Sequence, residues 1–223
     1  MSLNARDEIL GRIHAALPEE PGDIAVSHAS IPRLYNRVGI LDAHARLDLF
    51  IDRLLDYDTE VIEVQTEVEL LAAIGQALQQ AGHKRVLVPA EFPAAWLPSG
   101  ISIELDQGLG TAEIDRAQAV LTTCEIAIAS TGTIILAHDV AQGRRVLTLL
   151  PDHHFCLVRR DQVAELVPEA LQAVAMKGNA PITTISGPSA TSDIEMTRIR
   201  GVHGPRRLTV LLYGSPDTTL SRR

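Results

Sequence analysis

Residues 60–88, EVIEVQTEVELLAAIGQALQQAGHKRVLV, contain the pattern that decides the fold class. The stretch begins with an apolar run, Glu60 to Val64, that is typical of a strand. A capping box, Thr66-x-x-Glu69, then opens a helix that we expect to run through Gln80. A second apolar run, Arg85 to Val88, has the composition of a buried strand. The stretch therefore predicts a β–α–β unit, from which parallel sheets are built.

The same alternation of strand and helix continues to the end of the chain. Helices are predicted from Asp161 to Val174 and from Asp193 to Arg200. Ile126 to Ala129 and Thr133 to Leu136 predict a hairpin, because a glycine-containing turn separates them. The remaining predicted strands are all short apolar runs: Ile101 to Leu105, Ala119 to Thr122, Val146 to Leu150, Phe155 to Val158, Ile182 to Ile185 and Leu208 to Tyr213. We expect an α/β fold with an open, mostly parallel sheet, flanking helices and an antiparallel insertion.

Two predicted helices precede this alternating region. Asn4 to Leu17 has apolar residues at helical spacing, and so does Leu41 to Asp56. A polar connector that begins with proline and glycine follows the first helix. We therefore predict an N-terminal helical appendage over residues 1–58 and an α/β domain over residues 59–223.

The composition is that of a globular protein, with 46% apolar and 22% charged residues. A formal net charge of −8 argues against a nucleic-acid partner, because phosphate binding needs a basic surface. No apolar run reaches the length of about 18 residues that a membrane span needs, and the N-terminus lacks the apolar segment of a signal peptide. We expect a cytoplasmic protein without a membrane span.

The chain has two cysteines, Cys124 and Cys156, which lie far apart in the sequence. An iron–sulfur cluster or a cysteine-rich zinc site needs three or four such ligands. Both cysteines lie in apolar runs, so we expect buried, unreactive thiols. No metal site and no cofactor are predicted in this chain.

The strongest candidate for a ligand site is the polar loop Ser186-Gly187-Pro188-Ser189-Ala190-Thr191-Ser192-Asp193. It follows a predicted strand, and ligands of open α/β sheets gather at the carboxyl ends of strands. It also leads into a predicted helix, whose first backbone N–H groups attract anions. A capping box, Ser192-x-x-Glu195, is the alternative explanation, but it leaves Ser186, Ser189 and Thr191 without a role. The predicted ligand-binding residues of this loop are Ser186, Gly187, Ser189, Thr191 and Asp193.

A second candidate is the turn of the predicted hairpin, Ser130-Thr131-Gly132-Thr133. The hydroxyl groups of Thr131 and Thr133, together with the permissive Gly132, are suited to hold a carboxylate or a phosphate. A tight hairpin turn needs a glycine in any case, so a purely structural role is the alternative.

Candidates for acid–base chemistry are few. Glu125 precedes the predicted hairpin, and His203 lies between two glycines close to the candidate loop. Each is a weak candidate for a catalytic acid or base. The adjacent His153 and His154 would point to opposite faces of a strand, so the pair could not both hold one ion there. We expect surface or loop-anchoring roles for these histidines and for His203, and a metal or general-base role for any one of the three is the alternative.

Two basic pairs, Arg144-Arg145 and Arg206-Arg207, allow two interpretations. Guanidinium groups clamp anionic ligands well, because they donate two parallel hydrogen bonds. The same pairs are also typical of solvated strand edges, which are often charged. The sequence leaves both interpretations open.

Four ordered motifs resemble those of the LUD-domain family, in its lactate utilization protein C (LutC, YkgG-like) branch. They are Ile128-Ala129-Ser130-Thr131-Gly132-Thr133-Ile134, Gly143-Arg144-Arg145-Val146-Leu147-Thr148-Leu149-Leu150-Pro151, Ser186 to Glu195, and Gly201-Val202-His203-Gly204-Pro205. The similarity spans residues 60–214. The family's turn commonly reads Glu-Thr-Gly, whereas this chain has Ser130 before Thr131-Gly132.

The resemblance implies a fold similar to the sugar-phosphate isomerases and CoA-transferases (NagB/RpiA-like). It also implies a role in the oxidation of L-lactate to pyruvate, as a non-redox subunit or accessory factor beside two separate iron–sulfur proteins. The clusters would then lie on those partners, and this chain would bind a small anionic metabolite or a partner's surface. The family brings no established set of catalytic residues.

Two alternative functions stay open. The chain would act as a free-standing enzyme on a sugar phosphate or an acyl-CoA, with Glu125 or His203 as acid or base. Alternatively, it would be a ligand-binding regulatory module without chemistry of its own.

Overall fold

The structure of the protein is a computed structural model that describes residues 4–17, 30–139, 141–176, 178, 181–192, 198–200 and 203–215. The chain divides into two compact units, Met1–Tyr35 and Asn36–Arg223. The larger unit contains the sheets and the candidate ligand-binding residues.

The smaller unit contains the helix α1 (Ala5–Ala16), which confirms the first predicted helix. Asn4 caps it by accepting a hydrogen bond from the backbone N–H of Arg6. The apolar residues that predicted the helix, Ile9 and Ile13 among them, are exposed. No residue of α1 is buried.

The larger unit alternates strands and helices, as the sequence predicts. Its helices are α2 (Ala43–Asp56), α3 (Glu67–Gln80), α4 (Thr111–Ile114) and α5 (Val167–Ala175). Its strands are β1 (Glu60–Glu63), β2 (Arg85–Pro89), β3 (Ser102–Asp106), β4 (Ala119–Thr123), β5 (Ile126–Ile128), β6 (Thr133–Leu136), β7 (His153–Arg159), β8 (Val163–Ala164), β9 (Thr183–Ile185), β10 (Ala190–Ser192), β11 (Arg198–Arg200) and β12 (Arg207–Tyr213). Short 3-10 helices cover Ala94–Trp96, Ala129–Thr131, Arg145–Thr148 and Arg160–Gln162. Within the described ranges, no helix is long and apolar enough to cross a membrane.

Six strands form one parallel sheet in the order β1-β12-β7-β4-β2-β3. A four-stranded sheet has the order β8-β5-β6-β9, and in it β5 and β6 form the predicted antiparallel hairpin. Strands β10 and β11 form a separate antiparallel pair. The predicted α/β fold, with a mostly parallel sheet and an antiparallel insertion, is confirmed.

Helices cover both faces of the parallel sheet. Helix α2 packs Leu47, Phe50 and Leu54 against one face, in a cluster that includes Cys156 and Val210. Helix α3 packs its buried apolar side chains against the other face. Each fully buried leucine or phenylalanine contributes about 1.5–3 kcal/mol relative to an exposed one. These two clusters are the main source of stability in the unit.

Helix α2 therefore belongs to the core of the larger unit. The sequence placed it in an appendage of residues 1–58, whereas the compact units divide between Tyr35 and Asn36. Helical spacing shows that a helix has an apolar face, but it does not show which element covers that face.

The apolar run from Val146 to Leu150 is not the predicted strand. Most of it lies in the 3-10 helix Arg145–Thr148, whose Leu147 is fully buried. Arg145 Nη1 donates to Thr148 Oγ1 at 2.8 Å, a contact between residues three apart that eclipse on a 3-10 helix. Periodicity alone does not separate a short strand from a buried helical turn.

The helix predicted from Asp161 starts later than expected. Asp161 lies in the 3-10 helix Arg160–Gln162, where its Oδ1 accepts from Arg159 Nε at 2.5 Å. Helix α5 begins only at Val167, with a proline in its first turn, where proline is favoured. The ion pair of Asp161 thus replaces the capping role that the sequence suggested.

The helix predicted from Asp193 to Arg200 is wrong at its C-terminal end. Arg198–Arg200 is strand β11, and it pairs with Ala190–Ser192 so that Thr191 faces Ile199. Such β-branched residues favour a pleated surface over a helix. Residues 193–197, which include Asp193 and Glu195, lie outside the described residues. Ser192 lies in a strand rather than at a described helix start.

His153 and His154 are the first residues of β7 and are both buried, so the surface or loop position predicted for them is wrong. Their side chains lie on opposite faces of the sheet, as a strand requires. His153 Nδ1 lies 2.8 Å from His83 Nε2, and His153 Nε2 lies 2.8 Å from Thr209 Oγ1. Thr209 in turn donates to Glu60 Oε2 at 2.8 Å.

The carboxylate of Glu60 fixes the direction of this chain of hydrogen bonds. Because it only accepts, Thr209 must donate to it and accept from His153 Nε2–H. His153 Nδ1 is then an acceptor for His83 Nε2–H. Burial, helped by the nearby positive charge of Arg207, lowers the pKa of His153 from 6.5 to about 3. The pKa of His83 is lowered for the same reasons.

This network predicts that the fold weakens in acid. A histidine whose pKa is lower in the folded chain contributes stability above its unfolded pKa, and this is lost as the pH falls toward the folded pKa. Between 6.5 and about 3, His153 should cost the fold about 1.4 kcal/mol per pH unit. Chemical denaturation at a series of pH values gives the slope of the unfolding free energy against pH, and His153→Gln should reduce this slope by that amount. An unchanged slope would mean that His153 is protonated in the folded chain.

Gly132 lets the turn of the hairpin pack against helix α2. Its φ is +57°, in the left-handed region, and a Cβ there would lie 2.9 Å from the backbone carbonyl carbon of Arg53. A side chain at this position would therefore be strained in conformation and would also push the turn away from α2.

Replacing Gly132 by alanine should lower the free energy of unfolding by about 2–4 kcal/mol, from left-handed strain together with overpacking. Gly100→Ala is the matched control, because Gly100 has φ +81° with nothing within 4 Å of the added Cβ. The control should lose only about 1–2 kcal/mol, the cost of the conformation itself. Equal losses in denaturant unfolding of the two variants would contradict a packing role for Gly132.

Candidate functional site

A cleft of about 230 Å³ opens beside the loop that follows β9. Three segments surround it: the loop at residues 186–190, the 3-10 helix Arg145–Thr148, and the turn at residues 203–205 before β12. Thr184 and Ile185 of β9, His154 of β7 and Leu208 of β12 complete the lining. The cleft thus brings together segments that are far apart in the sequence.

The cleft lies at the amino ends of β7 and β12, since His154 and Leu208 are the second residues of those strands. The candidate loop follows the carboxyl end of β9, as predicted, but the parallel strands β7 and β12 do not meet the cleft at their carboxyl ends, where ligands of open parallel sheets gather. The candidate loop follows β9, which pairs antiparallel to β6 in the four-stranded sheet. The rule for parallel strands therefore does not govern where this loop lies.

Ser186 connects the candidate loop to the hairpin turn through hydroxyl groups. Its Oγ lies 2.8 Å from Thr133 Oγ1, which lies 2.7 Å from Thr131 Oγ1. Ser186 lines the cleft, whereas Thr131, Gly132 and Thr133 lie behind it. The two loops predicted as separate ligand sites are therefore joined, and the hairpin turn supports the loop that borders the cleft.

Gly187 and Ser189 hold the loop in place. Gly187 has φ +81°, and a Cβ on it would lie 2.5 Å from Tyr57 Cβ, so this close approach requires glycine. Ser189 N–H donates to Pro205 O at 2.8 Å, and Ser189 Oγ accepts from His203 N–H at 3.1 Å. Ser189 thus ties the loop to the turn before β12, and among the described residues no acceptor takes its own O–H proton.

Three other predicted residues have different positions. Thr191 lies in β10, and nothing is described of its side chain. Asp193 lies outside the described residues. His203 is exposed and lines the cleft.

Glu125 does not lie at the cleft. It follows the carboxyl end of β4, at the opposite edge of the parallel sheet. Its Oε2 accepts from Gln142 Nε2 at 3.2 Å. The structure therefore does not bring Glu125 and His203 together as an acid–base pair.

Arg145 supplies the positive charge of the cleft. Arg145 Nη1 donates to Thr148 O at 3.0 Å and to the hydroxyl of the buried Thr148 at 2.8 Å. Burial lowers the pKa of the Arg145 guanidinium. Among the described residues, no carboxylate lies within ion-pair distance of it. The side chain is thus partly desolvated and held in place, with its charge directed at the cleft.

The neighbouring Arg144 has a structural role. Its Nε and Nη2 donate to the two carboxylate oxygens of Asp106, at 2.8 and 2.6 Å. These hydrogen bonds lower the pKa of Asp106, whose side chain is buried at the carboxyl end of β3. This bidentate pair anchors the chain next to the 3-10 helix that carries Arg145. Arg144 therefore stabilises the fold through Asp106, whereas Arg145 faces the cleft.

His154 contributes a neutral imidazole. Burial, together with the charge of Arg145, lowers its pKa from 6.5 to about 3. Its Nε2 lies 2.8 Å from Thr122 Oγ1. Within the described part of the chain, Nδ1 has no hydrogen-bond partner. His154 can therefore exchange a hydrogen bond with a ligand in the cleft without adding charge.

The arrangement suits recognition of a small anion. A guanidinium, the Ser189 hydroxyl and a neutral imidazole converge on one small space. No group of three or more His, Cys, Asp or Glu side chains is placed to hold a metal ion within the described ranges.

Thr148 and His154 were not selected as site residues from the sequence. The three-residue separation of Arg145 and Thr148 was a signal that could have indicated Thr148. His154 was noticed as one of two adjacent histidines, but nothing near it in the sequence indicated the cleft.

Comparisons with known proteins agree on one family. The LUD domain model matches residues 47–213. Over 209 residues the chain is 46% identical to lactate utilization protein C of Deinococcus radiodurans, covering 92% of this chain and 90% of that relative. It is 25% identical over 234 residues to lactate utilization protein C of Bacillus subtilis, covering 95% of this chain and 97% of that relative.

A solved structure supports the fold independently. The crystal structure of a DUF162 family protein from Deinococcus radiodurans at 1.70 Å resolution matches with a TM-score of 0.69 and 44% sequence identity. The match covers 78% of this chain and 100% of that chain. The resemblance drawn from the four sequence motifs is confirmed, and the chain belongs to the LUD domain family, in its lactate utilization protein C branch.

Proposed function

We propose that this chain acts in lactate utilization, as a non-redox subunit or accessory factor in the oxidation of L-lactate to pyruvate. The observation that carries the proposal is the 46% identity to a lactate utilization protein C, which extends over nine-tenths of both chains. The cleft supports it, because Arg145 and the loop hydroxyls suit a small anionic metabolite.

The size of the cleft favours a small metabolite over the acyl-CoA of the alternative enzyme function. Its volume of about 230 Å³ is below the range of about 300–1,000 Å³ that is usual for pockets holding drug-sized ligands. A molecule with a few heavy atoms fits such a space, whereas a complete CoA does not.

We place the redox chemistry on partner proteins that carry iron–sulfur clusters. The chain has two cysteines, and both are buried and free. The pKa of the Cys124 thiol is raised, mainly by a hydrogen bond with Cys156 and also by burial. A raised pKa disfavours the thiolate, which is the form that ligates iron. Two such thiols are too few to hold a cluster. A cytoplasmic location, which fits this role, stays a prediction.

The role in lactate utilization predicts a growth defect. A strain from which this gene is deleted should fail to grow on L-lactate as sole carbon source but should grow normally on pyruvate. The unchanged gene should restore growth on L-lactate, and so should a gene carrying Arg116→Gln, which changes an exposed arginine outside the cleft. Normal growth of the deletion strain on L-lactate, with no other gene replacing it, would contradict the proposal.

The subunit role makes a separate biochemical prediction. The tagged chain, purified from cells growing on L-lactate, should bring with it proteins whose visible absorption shows iron–sulfur clusters. The isolated chain should not oxidise L-lactate, because its two buried cysteines are too few to hold an iron–sulfur cluster. Purification without such partners, or full lactate turnover by the isolated chain, would contradict the subunit role.

A further inference from the structure

We infer that the cleft binds a small monocarboxylate with an oxygen on the carbon next to the carboxylate, a 2-hydroxy or 2-oxo acid. In this arrangement Arg145 binds the carboxylate and His154 Nδ1 binds the neighbouring oxygen. The inference rests on the proposed function to the extent that acids of this class are what a lactate-utilization protein meets.

The charge of the cleft favours a monoanion as its ligand. Arg145 is the one guanidinium or ammonium group among the described lining residues, and no Asp or Glu is among them. His154 is neutral at physiological pH and adds no charge. A single cation matches a monoanion, whereas a phosphate monoester would bring a second negative charge that nothing described there compensates.

The orientation of Arg145 suits a carboxylate. Thr148 accepts from Nη1 through both its backbone oxygen and its hydroxyl, and Thr148 Oγ1 donates back to Arg145 O at 3.2 Å. Thr148 is buried, so this geometry is fixed before any ligand arrives. Within the described part of the chain, Nη2 and Nε make no hydrogen bond. These nitrogens form the fork that binds a carboxylate through two parallel hydrogen bonds.

One ring nitrogen of His154 can take a ligand oxygen as its hydrogen-bond partner. His154 is 2% exposed and lines the cleft, yet only Nε2 has a hydrogen-bond partner, Thr122, among the described residues. His154 Nδ1 is therefore available to exchange a hydrogen bond with a ligand oxygen in the cleft. Because Thr122 can donate or accept, His154 Nδ1 can donate to an oxo oxygen or accept from a hydroxyl. Both oxidation states of the same acid therefore fit.

The test is calorimetric titration of the full chain with L-lactate, pyruvate, propionate and inorganic phosphate. Propionate keeps the carboxylate and lacks the neighbouring oxygen, so it should bind about 3- to 10-fold more weakly than lactate or pyruvate. Phosphate should bind more weakly than lactate. Equal or tighter binding of phosphate, or the absence of lactate and pyruvate binding, would overturn the inference.

Two variants test the roles of the residues. Arg145→Gln should weaken lactate binding about 10- to 100-fold, while Arg116→Gln, at an exposed arginine outside the cleft, should leave it unchanged. His154→Phe should bind lactate and propionate equally, at the propionate affinity of the unsubstituted chain. Thermal unfolding checks that each variant is folded. If His154→Phe does not fold, the variant Thr122→Val takes its place, because it removes the hydrogen-bond partner of His154 Nε2. With Thr122→Val, a smaller ratio of lactate to propionate affinity supports the inference, and an unchanged ratio overturns it.

These outcomes are separable from those of the proposed function. If the chain purifies with iron–sulfur proteins and is needed for growth on L-lactate, yet binds none of the four probes, the binding inference fails and the proposed function stands. If it binds lactate and pyruvate as described but the deletion strain grows normally on L-lactate, the proposed function fails instead.

Discussion

Strand β7 is the element on which the rest of the larger unit depends. It is hydrogen-bonded to β12 on one side and to β4 on the other. Because alternate side chains of a strand point to opposite faces, β7 contributes to both halves of the core. Cys156 and Val158 pack in the cluster beneath α2, and Phe155 and Leu157 pack in the cluster beneath α3. A shift of one residue in its register would exchange these two sets and remove both clusters at once.

The same register decides the chemistry of the first two residues of β7. It places His153 in the hydrogen-bonded chain that leads to Glu60, and it places His154 at the cleft on the opposite face. Burial lowers the pKa of both imidazoles to about 3, so both rings are neutral at physiological pH. Neutrality makes the fold sensitive to acid, and it also gives the cleft a polar group without charge. The register of β7 thus lowers the stability of the fold in acid and also places His154, a candidate binding group, at the cleft.

The segment from Arg144 to Thr148 shows where sequence reasoning succeeded and where it failed. The basic pair was recognised as a possible anion clamp, but only Arg145 faces the cleft, because Asp106 binds Arg144 from the end of a distant strand. The run after it was expected to be a strand. Its apolar composition fits either a strand or a 3-10 helix. The 3-10 helix forms because it places Leu147 in a buried cluster. The loop at residues 186–190, predicted to bind a ligand at the carboxyl end of a strand, lines a cleft that lies at the amino ends of β7 and β12.

The sequence by itself determined the α/β class, most of the helices and strands, and the family. These follow from local patterns, such as the capping box at Thr66 and the alternation of apolar runs, which need no distant partner. Only the tertiary structure decided that Ser186 joins Thr133, that Ser189 joins His203, and that His154 lies beside Arg145. Those contacts depend on strand order, since β7 and β12 become neighbours only in the folded sheet. No spacing along the chain encodes such an order, and for this reason the cleft was visible in the sequence only in part.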